Sequence, residues 1–446
     1  MNPIMTHSLF SRTQRATFFN LALLLLALLW GCAPQGTVRQ GETAPSPPES
    51  GAASSSSVRP AASNVPEIRV CLTTSAETGS LSFDGRYLLT LEEARYQIDR
   101  QSGSFQVFSR GGHLVLSSER RYFEVPPGQE LAFEALDSQS RFVWNDTAYA
   151  GDFSVRLTEE KFLQVVNQLP IETYLNGVVP FEIPSTSEDG RAAVYAQAIA
   201  ARSYAFFRLA NSADTNFDLY ASTRDQYYGG LARQTPLAQA AVAETRGMLL
   251  TQNERPALTQ YHASSGGVLN VPEDQVLTHP GNRGRVVYDE KDNLPNDRIS
   301  PYYRWVERRD AETILANLRR YFAIDSLTAR KWLDSGFTIN MDIARRTAAG
   351  RVEAVNLQIE DREFLLEGMR IRKVLGDANG KPLPSNLFFL KVSPNYPDRF
   401  FIIGAGAGHG RGMSQWGAVS LSQRGYSFQD ILAFYYPDME LKKVSY

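Results

Sequence analysis

Leu169-Pro-Ile-Glu-Thr-Tyr-Leu-Asn-Gly-Val-Val-Pro-Phe-Glu182-Ile-Pro184 marks the point where this chain of 446 residues stops reading as β-structure and starts reading as helix. Pro170 in a first turn and Gly177 as a stop predict a short helix over residues 169–176. Beyond it, Pro180 and Pro184 bracket Phe181-Glu182-Ile183. Prolines fix φ and disfavour helix on their N-terminal side, so Glu182 is expected on a stiff, extended loop. Apolar neighbours that exclude water raise a carboxyl pKa, which a general acid working near neutral pH requires.

Downstream, Ser187 is placed to cap a helix with Glu188 and Asp189 in its first turn. Half of positions 192–205 are alanine, so this helix is expected to pack closely on all sides as a central element. Gln197 and Tyr204, seven apart, share one of its faces. Two readings of that face stand: a buried one in which the Glu182 carboxylate is a partner, and a wetted edge. Thr235-Pro236 opens another helix that Gly247 closes. Residues 252–303 lack periodicity and carry five prolines, a length of irregular chain that compact domains keep for function or leave disordered.

Upstream, residues 67–160 alternate short β segments with turns. Leu81–Phe83, Asp84-Gly85 and Arg86–Thr90 read as a hairpin, and Tyr96–Asp99 with Ser104–Phe108 as a second. His113 in Gly111-Gly-His-Leu reads as a turn residue. The fold class expected is α+β: an N-terminal antiparallel β module over 66–160, then a mixed helical and β catalytic domain over 161–446.

The N-terminus reads as an address. Arg12 and Arg15 precede a short apolar run from Phe18 to Trp30, which fits a signal-peptide core and is too short for an ordinary membrane span. Leu29-Trp30-Gly31-Cys32 resembles a bacterial lipobox, with Cys32 lipidated after loss of residues 1–31. Residues 32–65 are rich in Pro, Ser, Ala and Gly and read as a flexible tether. A lipid-anchored protein of the cell envelope is expected, on the periplasmic face of the outer membrane if the cell has two membranes. With Cys32 acylated, only Cys71 remains, which excludes an intramolecular disulfide and cysteine-based metal clusters. Forty-six basic and forty-eight acidic residues, without a basic block in the folded part, argue against nucleic acid.

Two further runs carry candidate chemistry. Tyr261-His-Ala-Ser-Ser-Gly-Gly267 sets a His beside serines, without the Gly-x-Ser-x-Gly elbow of a nucleophilic hydrolase and without the second ligand a zinc site needs. Phe400-Phe-Ile-Ile runs into Gly404-Ala-Gly-Ala-Gly-His409-Gly-Arg-Gly-Met-Ser-Gln415-Trp416-Gly. Neither dinucleotide nor Walker spacing occurs there. The alternate glycines instead allow backbone close to an extended ligand, with His409, Arg411, Gln415 and Trp416 as polar and stacking contacts. A final pair of helices, broken at Gly425, recapped by Ser427 and stopped by Pro437, closes the chain.

Together these runs resemble the stage II sporulation protein D (SpoIID) family, whose relatives include amidase-enhancer proteins. The resembling segments are Leu169–Pro184, Ala196–Tyr204, Asp225-Gln-Tyr-Tyr-Gly-Gly230, His262–Gly267, Gly408–Gly417 and Tyr435-Tyr-Pro437, in the family's order. The resemblance implies lytic transglycosylase cleavage of peptidoglycan, typically of strands stripped of stem peptides. The family's glutamate pattern falls on Glu182, with Ile183 in place of the usual Met. The matched segments put Gln197, Arg202, Tyr204, Gln226, Tyr228, His262, Ser264, Ser265, His409, Arg411, Ser414, Gln415 and Trp416 on the substrate side. Ser265 stands where some relatives have a zinc-binding cysteine, so neither metal nor cofactor is carried over. One glutamate suffices for this reaction, because the muramic acid supplies its own nucleophile. Glu172, the nearest rival carboxylate, reads as structural. The alternatives are a glycan-binding module that stimulates a cell-wall amidase without cutting, and a structural lipoprotein tethering envelope layers.

Overall fold

The computed structural model describes residues 64–91, 94–214, 216–270, 294–393 and 395–446. The apolar leader, Cys32 and nearly all of the tether lie outside the described residues.

Strands with alternating burial build the N-terminal part, as in Thr78–Asp84, where every second side chain is buried. They form two sheets. One has six antiparallel strands, among them Thr78–Asp84, Phe105–Arg110 and Arg141–Trp144. The other has seven: Leu219–Tyr220 lies parallel beside Glu67–Ala76, followed in order by Leu163–Pro170, Asp152–Leu157, Glu130–Ala135, Tyr87–Leu91 and Ala94–Ile98. Aromatic rings from both sheets meet between them. Phe133 and Phe153 of the seven-stranded sheet stack at 4.4 Å, and Phe142 of the six-stranded sheet lies 4.0 Å from Phe153.

Both expected hairpins are overturned. Thr78–Asp84 pairs with Phe105–Arg110 and Arg141–Trp144, whereas Tyr87–Leu91 pairs with Ala94–Ile98 and Glu130–Ala135. At Asp84-Gly85 the chain crosses from one sheet to the other, and it crosses back between Ile98 and Phe105. Gly85, at φ +120°, presses against Ser140, whose Oγ accepts the Arg86 N–H at 3.0 Å. A turn signal specifies a change of direction and leaves open which neighbour the next strand pairs with. His113 begins a strand, His113–Ser117, directly after the Gly111-Gly112 turn.

The boundary expected at 160/161 falls between two neighbouring strands of one sheet, Asp152–Leu157 and Leu163–Pro170. From there the helices follow. Ile171–Asn176 ends at Gly177 as the sequence predicts, but starts two residues later than expected, with Pro170 at its N-cap and not in its first turn, because Leu169 and Pro170 still belong to the preceding strand. The long helix starts at Arg191, after a short 3-10 turn Glu188–Gly190, and runs to Asn211. Ser187 does not cap it, because its hydroxyl bonds Asp189 instead. Alanines make this helix thin enough to be enclosed. Helices Ile171–Asn176, Val179–Glu182, Pro236–Glu244, Gln415–Gln423 and Phe428–Tyr435 all pack on it. Thr235 and Ser427 cap their helices as expected, Ser427 through a reciprocal capping box with Asp430.

The apolar interior is divided. One core takes residues from Ile68 to Leu269 and resumes at Met413. The second takes only residues between Ala311 and Ile402. It is built from two helices, Ala311–Tyr321 and Ser326–Ser335, the antiparallel sheet Ile339–Arg346, Val352–Ile359 and Arg362–Glu367, helix Met369–Val374, and a three-stranded sheet that includes Tyr396–Gly404. The chain therefore leaves its first core, builds a second one, and returns through the glycine loop at 404–412. The α+β architecture holds, with the antiparallel sheets first and the mixed part after.

Candidate active site

Gly177 brings the end of helix Ile171–Asn176 against the loop Asp225–Gly230: a Cβ there would lie 2.5 Å from the Tyr228 ring and 2.6 Å from the Gly230 carbonyl. The next residues differ from the expected extended loop. Val179–Glu182 is a single helical turn with Pro180 in its first positions, where a missing N–H costs nothing, and the extended backbone begins only at Ile183. Glu182 is the last residue of that turn. Phe181 packs on Tyr227 with ring centroids 5.2 Å apart, and Gly229 leaves the room that its ring occupies.

Three neutral donors hold the Glu182 carboxyl. The Tyr227 N–H donates to Oε1 at 2.9 Å, the Gln415 side-chain amide donates to Oε2 at 3.1 Å, and the Tyr261 hydroxyl supplies the third hydrogen bond. Behind Tyr261 the chain of donors continues inward. Gln226 Nε2 donates to the Tyr261 hydroxyl at 2.9 Å, and the buried Tyr174 hydroxyl donates to Gln226 Oε1 at 2.9 Å. Each acceptor is thereby used, and the direction of every proton in the relay is fixed. The Glu182 pKa lies above the ordinary carboxyl value. Desolvation drives it up and outweighs the three hydrogen bonds, which act in the opposite sense. The residue keeps part of its exposure, so the crowding acts on the carboxyl while a path to solvent remains.

Two segments far apart in sequence bring Tyr261 and Gln415 here. Tyr261–His262 pairs in parallel with Met413–Ser414, and Ser264 bridges to Ala407. Under this pairing sits Asp297, fully buried, whose Oδ2 accepts from Ser264 Oγ at 2.7 Å, Ser265 Oγ at 2.9 Å and the Gly266 N–H at 2.9 Å. His262 is buried and contacts the Arg411 carbonyl through Nδ1 at 3.0 Å. Burial, then the neighbouring His409 ring and the Arg351 charge, hold its pKa well below the usual histidine range, so it is neutral and Nδ1 is the donor. Gly408 and Gly412 have positive φ, and a Cβ on either would collide with His262 or the Gln260 carbonyl. The alternate glycines serve this close approach.

The residues expected on the substrate side fall into three groups. Gln415 touches Glu182 directly, and half-buried Trp416 follows it at the start of helix Gln415–Gln423. Ser414 is buried as that helix's N-cap. Exposed His409 and Arg411 line a separate hollow on the far side of the glycine loop. The rest stand behind the site. Arg202 is fully buried in a paired contact with Glu172, both bonds 2.8 Å. Tyr228 donates to Asn167 at 2.9 Å, and Tyr204 donates to Asp225 at 2.7 Å, which holds the loop carrying Tyr227. Gln197 is fully buried and its amide has no hydrogen-bond partner among the described residues, so neither of the two readings of its face holds: it is not on a wetted edge, and it does not contact Glu182. Ser264 and Ser265 spend their hydroxyls on Asp297. Sequence reasoning missed Tyr261, Tyr227 and Asp297. Tyr261 was legible as the residue before His262, whereas Asp297 sits in an irregular Pro-rich stretch that offers no periodic signal.

A family model described as stage II sporulation protein matches residues 159–252, the segment that contains Glu182, the alanine helix and the Tyr227 loop. Over these residues the chain is similar to the SpoIID family. A second model, described only as a domain of unknown function, matches residues 247–412 and so takes in the whole second core. The chain is 28% identical over 295 residues to stage II sporulation protein D of Bacillus subtilis, covering 63% of this chain and 76% of that one. It is 26% identical over 307 residues to an uncharacterized protein of Brachyspira hyodysenteriae, covering 69% of this chain and 75% of the relative. It is 23% identical over 291 residues to the amidase enhancer of Bacillus subtilis, covering 60% of this chain and 40% of that protein. The similarity to SpoIID and amidase-enhancer proteins supports a cell-wall-related role for the chain.

Proposed function

We propose that the protein is a peptidoglycan lytic transglycosylase in which Glu182 is the single acid and base. The observation that carries this reading is a carboxyl with a raised pKa whose three partners are all neutral donors. An arginine partner would pin the group as an anion, whereas burial among neutral donors shifts the balance toward the protonated form. The proton count closes without water. Glu182 gives its proton to the glycosidic oxygen as the bond from that oxygen to C1 of the muramic acid breaks. The muramic acid's 6-hydroxyl oxygen then attacks C1, and its proton passes to the Glu182 carboxylate. The product carries a 1,6-anhydro bond and the enzyme is again protonated. The 2-acetamido oxygen stabilises the positive charge at C1, so no second carboxylate is needed. The three donors strengthen as the carboxylate forms, which assists the first proton transfer.

Product analysis tests this. Mass spectrometry of peptide-stripped glycan after incubation should show 1,6-anhydro ends, which Glu182→Gln abolishes. Hydrated reducing ends would assign a hydrolase, and intact glycan would remove the enzyme reading. The second reading, a glycan-binding module that acts with an N-acetylmuramoyl-L-alanine amidase, rests on the similarity to an amidase enhancer. It expects unaltered glycan together with faster peptide release by an added amidase.

The envelope address belongs to this proposal as well: a lipid on Cys32 and a tether that lets the body reach the wall. Cys32→Ser should move the protein from the membrane fraction to the soluble fraction.

A further inference from the structure

Beside the glycine loop, on the side of the domain of unknown function, lies a hollow of about 460 Å³. Its charge is unbalanced. Arg345, Arg351, Arg372 and Arg411 line it, against two carboxylates, Glu353 and Glu367, and both of these are taken by Arg345 at 3.2 and 3.0 Å. None of the other three guanidiniums has a carboxylate within ion-pair distance among the described residues, in a chain whose net charge is −2, and the buried Asp297 acts on Arg351 only from farther away. Arg351 is the telling one. It is 3% exposed, and its Nη2 donates to the carbonyls of Ser265 and Val268 at 3.0 and 3.2 Å, while Nε and Nη1 have no partner. Burying a guanidinium with idle donors costs free energy that a bound anion recovers. Gly410 makes the place for it, since a Cβ there would lie 2.2 Å from Nη2.

The hollow is joined to Glu182 through His409. This ring accepts the Arg411 N–H at Nδ1, 3.1 Å, and is also hydrogen-bonded to the Tyr261 backbone, whose side chain holds Glu182. The loop that forms the wall continues directly into Met413, Ser414 and Gln415. A polymer placed with one glycosidic bond at Glu182 has neighbouring sugars to lay along this loop.

We propose that the hollow is a carboxylate subsite for the lactyl group of muramic acid in peptide-stripped glycan. The inference rests on the peptidoglycan reading above. In a stripped strand each muramic acid bears a free carboxylate. With the stem peptide attached the same carbon is a neutral amide, so guanidiniums select the stripped strand by charge.

Binding in a Glu182→Gln background, where the strand is not consumed, tests the assignment. The probes are a stripped glycan oligosaccharide, the same oligosaccharide with its lactyl carboxylates converted to methylamides, and a chitin oligosaccharide of equal length. The free acid should bind at least about tenfold more tightly than either neutral probe. Arg351→Met and, independently, exposed Arg411→Gln should each remove most of that preference and leave the neutral probes unchanged. Equal binding of acid and methylamide, no binding of any glycan, or a preference that survives both substitutions overturns the subsite. Tight binding of unstripped glycan through the same arginines overturns it in favour of the peptide's carboxylates. Discrimination without cleavage by the otherwise unaltered protein removes the transglycosylase and leaves the subsite. Cleavage without discrimination does the reverse.

Discussion

Glu182 carries the sharpest predictions at the scale of single residues. Glu182→Gln keeps the shape and both hydrogen-bonding functions of the side chain but has no acidic proton to give, so the cleavage rate should fall ~10²–10⁴-fold with glycan binding retained. Because the folded pKa is raised, any stabilising contribution of this carboxyl is complete below its unfolded pKa and is lost as pH rises through the folded value. At neutral pH the variant should therefore melt at the same temperature as the parent or slightly higher. The same sign governs activity: the acid form is the working form, so the rate should decline on the alkaline side as Glu182 loses its proton. Tyr261→Phe removes a donor that favours the anion, so this alkaline limb should move to higher pH. The substitution also leaves one N–H of the Gln226 amide without an acceptor, the other keeping the Ala201 carbonyl, at a cost of about 1–2 kcal/mol in chemical denaturation. A limb that stays in place would show that Tyr261 does not act on the carboxyl. Glu172, by contrast, faces away from this chemistry. It anchors the fully buried Arg202, and Glu172→Gln should cost roughly 3 kcal/mol of stability while the surviving folded protein cleaves normally.

Elements show where the sequence was legible and where it was not. Residues that set φ or supply a cap gave their helices away: Pro170 with Gly177, Thr235-Pro236, and Ser427 with Asp430 all act within a few residues of themselves. Glu182 was found in the same manner, from its own apolar neighbours. Pairing was not legible. Asp84-Gly85 carries a strong hairpin signal, yet the chain uses it to change sheets, because the aromatic layer of Phe83, Tyr87, Phe142 and Phe153 is filled only when the two strands lie opposite each other. That layer joins strands dozens of residues apart, and no local pattern encodes it. Asp297 is hidden in the same way, since its role depends on a parallel pairing between residues 261–262 and 413–414, whereas Tyr261 stands beside a residue the sequence already singles out. The glycine loop belongs to both classes: its spacing announced a close approach, and only the structure shows that His262 and Arg351 are what it approaches. Gly410→Ala tests that approach. The residue sits at φ +80° with Arg351 where its Cβ would go, so both the backbone and the guanidinium must shift. Stability should fall by about 1–3 kcal/mol, measured by denaturant titration, a larger loss than the same change at Gly336, which has open space around it.

Across the whole molecule, the decisive feature is that the chain builds two apolar interiors and threads one inside the other. Sheets, alanine helix and C-terminal helices share the first core, while residues 311–402 close on the second. This arrangement places the glycine loop at the junction. It leaves the second core at Gly404, borders the arginine-lined hollow, and enters the first core at Met413 beside Glu182. A folded unit that can open on its own would make the hollow a separately regulated part of the site, and the division of the cores predicts such opening. Phe400 is fully buried in the second core, and Phe400→Ala removes a large side chain there, at a cost of roughly 3–5 kcal/mol. The loss should be confined to the unit it stabilises. Hydrogen exchange is the measurement: amides in strands 339–346 and 352–359 should exchange markedly faster in the variant, while those of strand 163–170 and helix 191–211 keep the parent's protection. Phe153→Ala in the first core supplies the contrast, because its ring is stacked between both N-terminal sheets and its loss should weaken protection in strand 163–170 and the long helix. Equal acceleration in both cores on Phe400→Ala would mean that the two interiors open as one unit, and the second could then not act as a separate lever on the site.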